Sequence, residues 1–143
     1  MEEAEYMQLA NSVPLNWYTS QESVEITKAI FYDIMVGSAM KYGLVINNGQ
    51  DMQDLIEKLA LEKEIPEEDV IMSVRNVAIT VGAVKLFNQK YAKIAEKFPK
   101  DRFGNPDYPP KFLAKILEVT EDIAEELLHG VLSDYSTYLE NDN

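Results

Sequence analysis

Apolar residues recur three and four positions apart along most of this chain, the repeat of a helix with one buried face. The longest series is Val70, Val74, Val77, Val81, Val84, Asn88, Tyr91, Ala95 and Phe98, which advances by four and three without a slip. Ile71, Ala78 and Ile79 form a row beside it, so the middle of this helix is apolar nearly all round and is expected to lie between several neighbours. A strand over 77–84 is the competing reading. It fails because Val77-Ala78-Ile79 and Gly82-Ala83-Val84 run without alternation. A second stripe holds Val24, Thr27, Phe31, Ile34, Ser38 and Tyr42, a third Met52, Leu55, Ile56, Leu59 and Ala60. The last runs through Leu113, Ile116, Leu117, Thr120, Ile123, Ala124, Leu127, Val131, Tyr135 and Tyr138.

Start and stop signals bound these stripes. Thr19-x-x-Glu22 resembles a capping box, in which side chain and backbone satisfy each other's free groups at the head of a helix, and Ser20 is a second possible N-cap. Gly43 is the natural stop of that helix. Asn47-Asn48-Gly49 marks a turn, and Leu44–Ile46 before it could form a short strand but has no evident partner. Pro66 followed by Glu67, Glu68 and Asp69 suits a helix start, because proline lacks an N–H and acids offset the positive helix end. Pro99–Pro110 lacks helical character, with prolines, Gly104, Asn105 and Asp107 close together.

The pattern predicts an all-α, single-domain helical bundle of about five helices, spanning 1–143. Its frame is a long antiparallel hairpin of residues 66–98 and 110–140, with the shorter helices packed across it. Residues 1–20 form an N-terminal arm, 99–109 the hairpin loop and 141–143 a frayed tail. Ser38 and Asn88 interrupt apolar stripes, as buried polar residues that fix register do, or as markers of where the bundle meets water.

Composition then narrows the chemistry. The chain of 143 residues has no cysteine and one histidine, His129. Thiolate metal sites, disulfides and cysteine nucleophiles are excluded, as is any site needing two histidines from one chain. The glycines are scattered singly, without a phosphate-cradling loop, and no serine has a Gly-x-Ser-x-Gly setting. The acidic N-terminus is unlike a targeting peptide, and no apolar run approaches the ~20 residues of a membrane span. The expectation is a cytoplasmic protein with no membrane contact, no cofactor and no bound metal.

Charge is unevenly distributed. The formal net charge is -12, yet residues 85–115 hold eight of the thirteen basic side chains against Glu96, Asp101 and Asp107, a local net of +5. At the end of the expected hairpin, Lys90, Lys93, Lys97, Lys100, Arg102, Lys111 and Lys115 would meet. Phe103 and Tyr108 would be interleaved with them, beside Tyr91, Phe98 and Phe112. Lysines with exposed rings could grip single-stranded nucleic acid. The plainer readings are dipole compensation at a helix end, or contact with an acidic protein surface. Glu118, Glu121, Asp122, Glu125 and Glu126 line the outer side of the last helix, and Glu57, Glu62, Glu64, Glu67, Glu68 and Asp69 gather near the third-to-fourth helix junction. Such carboxylates either keep the protein soluble or imitate nucleic-acid phosphates toward a basic cleft. Trp17 and Tyr18 would clamp the arm to the bundle or anchor a partner. Glu126-x-x-His129 is half of a carboxylate di-metal motif, which this chain could complete only across a dimer axis.

Three functional expectations follow, in order. The first is a non-enzymatic acidic interaction module, an adaptor or inhibitor for another protein with a basic cleft, with a homodimer possible. The second is a nucleic-acid-binding subunit using the basic aromatic tip at 85–115. The third is a dimeric carboxylate metal protein. In size and helical content the chain resembles small helical subunits of bacterial ribonucleoprotein effector complexes and small viral inhibitors of bacterial defence systems, without a shared motif.

Overall fold

The structure, a computed structural model, describes residues 1–131, with only the backbone of Gly130 and Val131. It is all-α. In chain order the helices are α1 (Glu3–Ser12), α2 (Ser20–Lys41), α3 (Gly49–Lys63), α4 (Glu67–Lys90), α5 (Ala92–Ala95), α6 (Pro110–Leu117) and α7 (Glu121–Glu126), followed by a π-helical turn, Leu127–Val131. Among the described residues there is no strand. Leu44–Ile46 is irregular, and Lys100 and Pro106 make an isolated bridge.

Local chemistry explains most of the ends. Thr19 Oγ1 accepts from the Glu22 N–H at 3.1 Å, and the Glu22 carboxylate accepts from the Thr19 N–H at 2.9 Å, which closes the capping box of α2. α2 stops at Gly43, where φ is +70°. The Leu44 N–H reaches the Ala39 carbonyl at 2.9 Å and the Gly43 N–H the Met40 carbonyl at 3.0 Å, a paired closure that glycine adopts without steric cost. Asn48 caps α3 by accepting from the Asp51 N–H at 2.9 Å.

α4 pairs with α2, and this differs from the hairpin that the sequence suggests. Ile26 meets Gly82, Ile30 packs with Ala78 and Val81, and Met35 and Ala39 share a cluster with Val70, so the two helices run antiparallel along most of their length. Gly82 permits the close approach: a Cβ there would lie 3.1 Å from Ile26 Cγ2. The expected rods 66–98 and 110–140 are both interrupted. The first breaks at Tyr91, whose φ of -121° and ψ of 45° are not helical. The second breaks at Glu118, which sits in the left-handed region with φ of 55°. There the Val119 N–H turns back to the Ala114 carbonyl at 3.0 Å. Positions 132–140 of the expected rod, with Tyr135 and Tyr138, and the tail 141–143 lie outside the described residues.

Three apolar clusters are strung along the α2/α4 pair. One end holds Met35, Ala39, Leu55, Ile56, Leu59, Ala60 and Val70 from α2, α3 and α4. The middle holds Ile30, Ala78 and Val81, with no third helix. The other end gathers Ala10, Trp17, Leu86, Phe87, Ala95, Phe98, Tyr108, Phe112, Leu113, Ile116 and Ala124. From Val70 to Phe87 along α4 the two ends are about 25 Å apart, at 1.5 Å per residue. α4 packs along most of α2, and α3 joins only near the C-terminal end of α2. Val24, expected inside, is exposed, while Ile30, Met35 and Ala39 are buried.

α4 is long and apolar enough to cross a membrane by length and composition. An 18-residue window has a mean hydropathy of 1.6, and only 28% of that window is buried. The expected burial among several neighbours is therefore partial, and Ile71, Met72 and Ile79 face outward.

Candidate functional site

The lysine-rich segment folds around an aromatic cluster, not along a hairpin tip. Phe87, Phe98, Tyr108 and Phe112 pack with ring centroids 4.6–5.8 Å apart, and Tyr91 stacks on Phe87 at 5.1 Å. Rings and ammonium groups lie on opposite sides of this segment: Phe98, Tyr108 and Phe112 are buried, while Lys93, Lys97, Lys100, Lys111 and Lys115 are exposed. Tyr108 is 2% exposed and its hydroxyl donates to Asn88 Oδ1. Burial pushes that hydroxyl's pKa up, so it stays protonated and a donor. Phe98 and Phe112 are buried too, and Phe103 is half-buried with Arg102 over its ring at 4.5 Å.

The basic residues divide into two groups. Lys90 Nζ binds Glu22 at 2.7 Å and also donates to the Trp17 carbonyl at 3.1 Å. Lys111 Nζ pairs with Glu3 at 2.5 Å, which ties α1 to α6. The lysine hydrogen bond and backbone contacts hold the Glu22 carboxyl below the usual carboxylate range, and the Glu3 carboxylate raises the pKa of Lys111. Lys93, Lys97, Lys100 and Lys115 are exposed, and no ion pair links them to a described residue. Two of the basic residues, Lys90 and Lys111, are thus compensated from the head of α2 and from α1.

Trp17 closes this end of the molecule. It is 8% exposed, its Nε1–H donates to the Ile116 carbonyl at 2.9 Å, and its ring meets Tyr18 and Phe87 edge-on at 4.5 and 5.4 Å. Trp17 with Tyr18 clamps the arm to the helices.

The acidic residues are displayed. Glu118, Glu121, Asp122, Glu125 and Glu126 are all exposed, and so are Glu57, Glu62, Glu64, Glu67, Glu68 and Asp69. Between α3 and α4 lies a shallow groove of about 660 Å³ whose lining includes Glu57, Leu61, Glu64, Ile65, Pro66 and Glu67. Leu61, in that groove, is 81% exposed. Gln53 Nε2 donates to Glu67 at 2.6 Å and joins the two helices beside it. Ile123 is exposed among the α7 carboxylates in the same manner. Each acidic patch therefore includes an exposed aliphatic side chain. This pairing escapes the periodicity rules, which place Ile123 on the buried stripe. Leu61 could have been noticed as an apolar residue off its helix's stripe.

A deeper cleft of about 770 Å³ opens beside the aromatic cluster, with Tyr6, Val84, Lys85, Asn88, Arg102 and His129 among its lining residues. Its walls come from separate parts of the chain, so no local motif announces it. Exposed His129 stands at its edge. Among the described residues no three Asp, Glu or His side chains come close enough to hold a metal ion.

No protein-family model matches this chain, and no curated protein or solved structure is significantly similar to it.

Proposed function

We propose that the protein is a non-enzymatic, acidic interaction module that acts in the cytoplasm as an adaptor or inhibitor of another protein with a basic cleft. The supporting observation is the groove between α3 and α4, where Leu61 stands exposed beside Glu57, Glu64 and Glu67. An aliphatic anchor ringed by carboxylates matches the anatomy of a protein interface: a small desolvated centre supplies affinity, and surrounding charge sets orientation and encounter rate. The sharpest form of the proposal is phosphate mimicry, in which the two acidic patches occupy a bacterial or viral protein's nucleic-acid site. Patches at opposite ends of a helical frame keep a fixed spacing, as phosphates on a duplex do.

The test is competition. The protein is added to labelled nucleic acid bound by each of a panel of nucleic-acid-binding proteins, and displacement is followed by anisotropy. Displacement should weaken roughly tenfold or more in Leu61→Ser or in Glu57→Lys/Glu64→Lys. No displacement across the panel overturns mimicry. Direct, salt-sensitive binding of nucleic acid by the protein itself would instead favour the exposed Lys93, Lys97, Lys100 and Lys115.

A further inference from the structure

Asn88 is the polar residue that interrupts the apolar stripe of α4, and its surroundings give it a task. Tyr108 is 2% exposed, so its hydroxyl needs an acceptor, and Asn88 Oδ1 supplies it. That bond fixes the plane of the Asn88 amide and leaves Nδ2, the donor end, directed elsewhere. Nδ2 has no hydrogen-bond partner among the described residues. Asn88 is half-buried and lines the cleft of about 770 Å³ beside the aromatic cluster. An oriented, unused donor therefore stands in the wall of that cleft.

The walls around it are preformed. One is the loop between α5 and α6. Its Asp101 N–H donates to the Asn105 carbonyl and its Asp107 N–H to the Pro99 carbonyl, both at 2.8 Å. Asp101 Oδ1 accepts from the N–H groups of Phe103 and Asn105 at 2.9 and 3.0 Å. Pro99, Pro106, Pro109 and Pro110, on the same wall, hold their own φ fixed. A loop tied in this way loses little freedom when a ligand arrives. Another wall is the π-helical turn that carries Leu128 and His129, a rare conformation that is frequent at functional sites. The volume falls within the roughly 300–1,000 Å³ of small-molecule sites.

The lining also indicates what fits. Tyr6 and Phe103 are both half-buried there, so ring surface is left for a flat apolar body. Lys85 and Arg102 line the cleft too, but each has interactions of its own, and the Asp101 carboxylate is taken up by its loop. Asp107, exposed on the same wall, disfavours an anion, and an N–H donor disfavours a cation.

We propose that this cleft binds a small, flat, uncharged molecule bearing a carbonyl or ring-nitrogen acceptor, which receives a hydrogen bond from Asn88 Nδ2 while its apolar body lies against Tyr6 and Phe103. The cleft is at the other end of the α2/α4 pair from the α3/α4 groove, so the proposal does not depend on the partner described above.

Side-chain amide signals of the nitrogen-15-labelled full chain report such binding directly. The probes are coumarin and chromone, flat neutral bicycles with a ring carbonyl, and indene, a bicycle of similar size without an acceptor. Both carbonyl probes should shift the Asn88 side-chain amide pair downfield, together with the backbone amides of Val84 and Phe103. Indene should bind roughly three- to tenfold more weakly, the worth of one neutral hydrogen bond, and leave the Asn88 pair in place. In Asn88→Leu the carbonyl probes should lose that advantage. If that variant does not fold, the titration of the unaltered chain still decides. Absence of shifts at the cleft residues up to the solubility limit of the carbonyl probes overturns the proposal. So does equal binding of all the probes with the Asn88 pair unmoved, or a set of shifts confined to residues outside the cleft.

Discussion

Lys90 connects three parts of the chain through one ammonium group: the C-terminal end of α4, the cap of α2 and the carbonyl of Trp17. The Glu22 carboxyl titrates below its unfolded value, so its contribution to stability is present above the ordinary carboxylate range. That contribution is lost as pH falls through the folded value. Acidification should therefore loosen the arm first, and Trp17, the one tryptophan, should report it as a red-shifted emission. Glu22→Gln should show the looser emission already at neutral pH and should flatten the acid response. An unchanged acid response in that variant would show that Lys90 holds Trp17 through its carbonyl alone.

At the level of helices, two ends depend on glutamate in a conformation that glycine adopts more easily. Glu64 closes α3 with φ of 57° and Glu118 closes α6 with φ of 55°. The left-handed region costs an ordinary residue roughly 1 kcal/mol relative to glycine. Glu118→Gly should raise the midpoint of thermal unfolding by a few degrees, and Glu118→Val should lower it by more, as measured by circular dichroism. Here the sequence misled for a physical reason. No glycine or proline marks the stop at Glu118, and the apolar stripe continues in phase past it, so a continuous rod is the natural reading. The capping box at Thr19, the stop at Gly43 and the inward residues of α3 were legible because the responsible groups are neighbours in sequence. The pairing of α2 with α4 was not, since Gly82 against Ile26 is a contact between positions far apart in the chain. The lysine-aromatic mixture was legible as a segment but not as a surface. Its rings supply the core, and Glu3 and Glu22, which neutralise Lys111 and Lys90, come from remote segments.

Among the described residues, α4 is the element that places buried residues in all three clusters: Val70 at one end, Ala78 and Val81 in the middle, Leu86 and Phe87 at the other. The ends should therefore unfold together. Leu55→Ala, at the end remote from Trp17, should remove about 2–5 kcal/mol. The loss should appear equally in Trp17 fluorescence and in helical circular dichroism, as one transition. Two separated transitions, with the Trp17 midpoint unmoved, would show that the middle cluster is too small to couple the ends.

Glu64 and Glu118 add one more consequence. Each places its carboxylate at the terminus of a helix where aligned peptide groups already leave a partial negative charge. The two sources of field add, so the electrostatic potential at these corners is deeper than a tally of side chains implies. Mobile counter-ions will gather there first, and their release when a cationic surface arrives supplies an entropic gain.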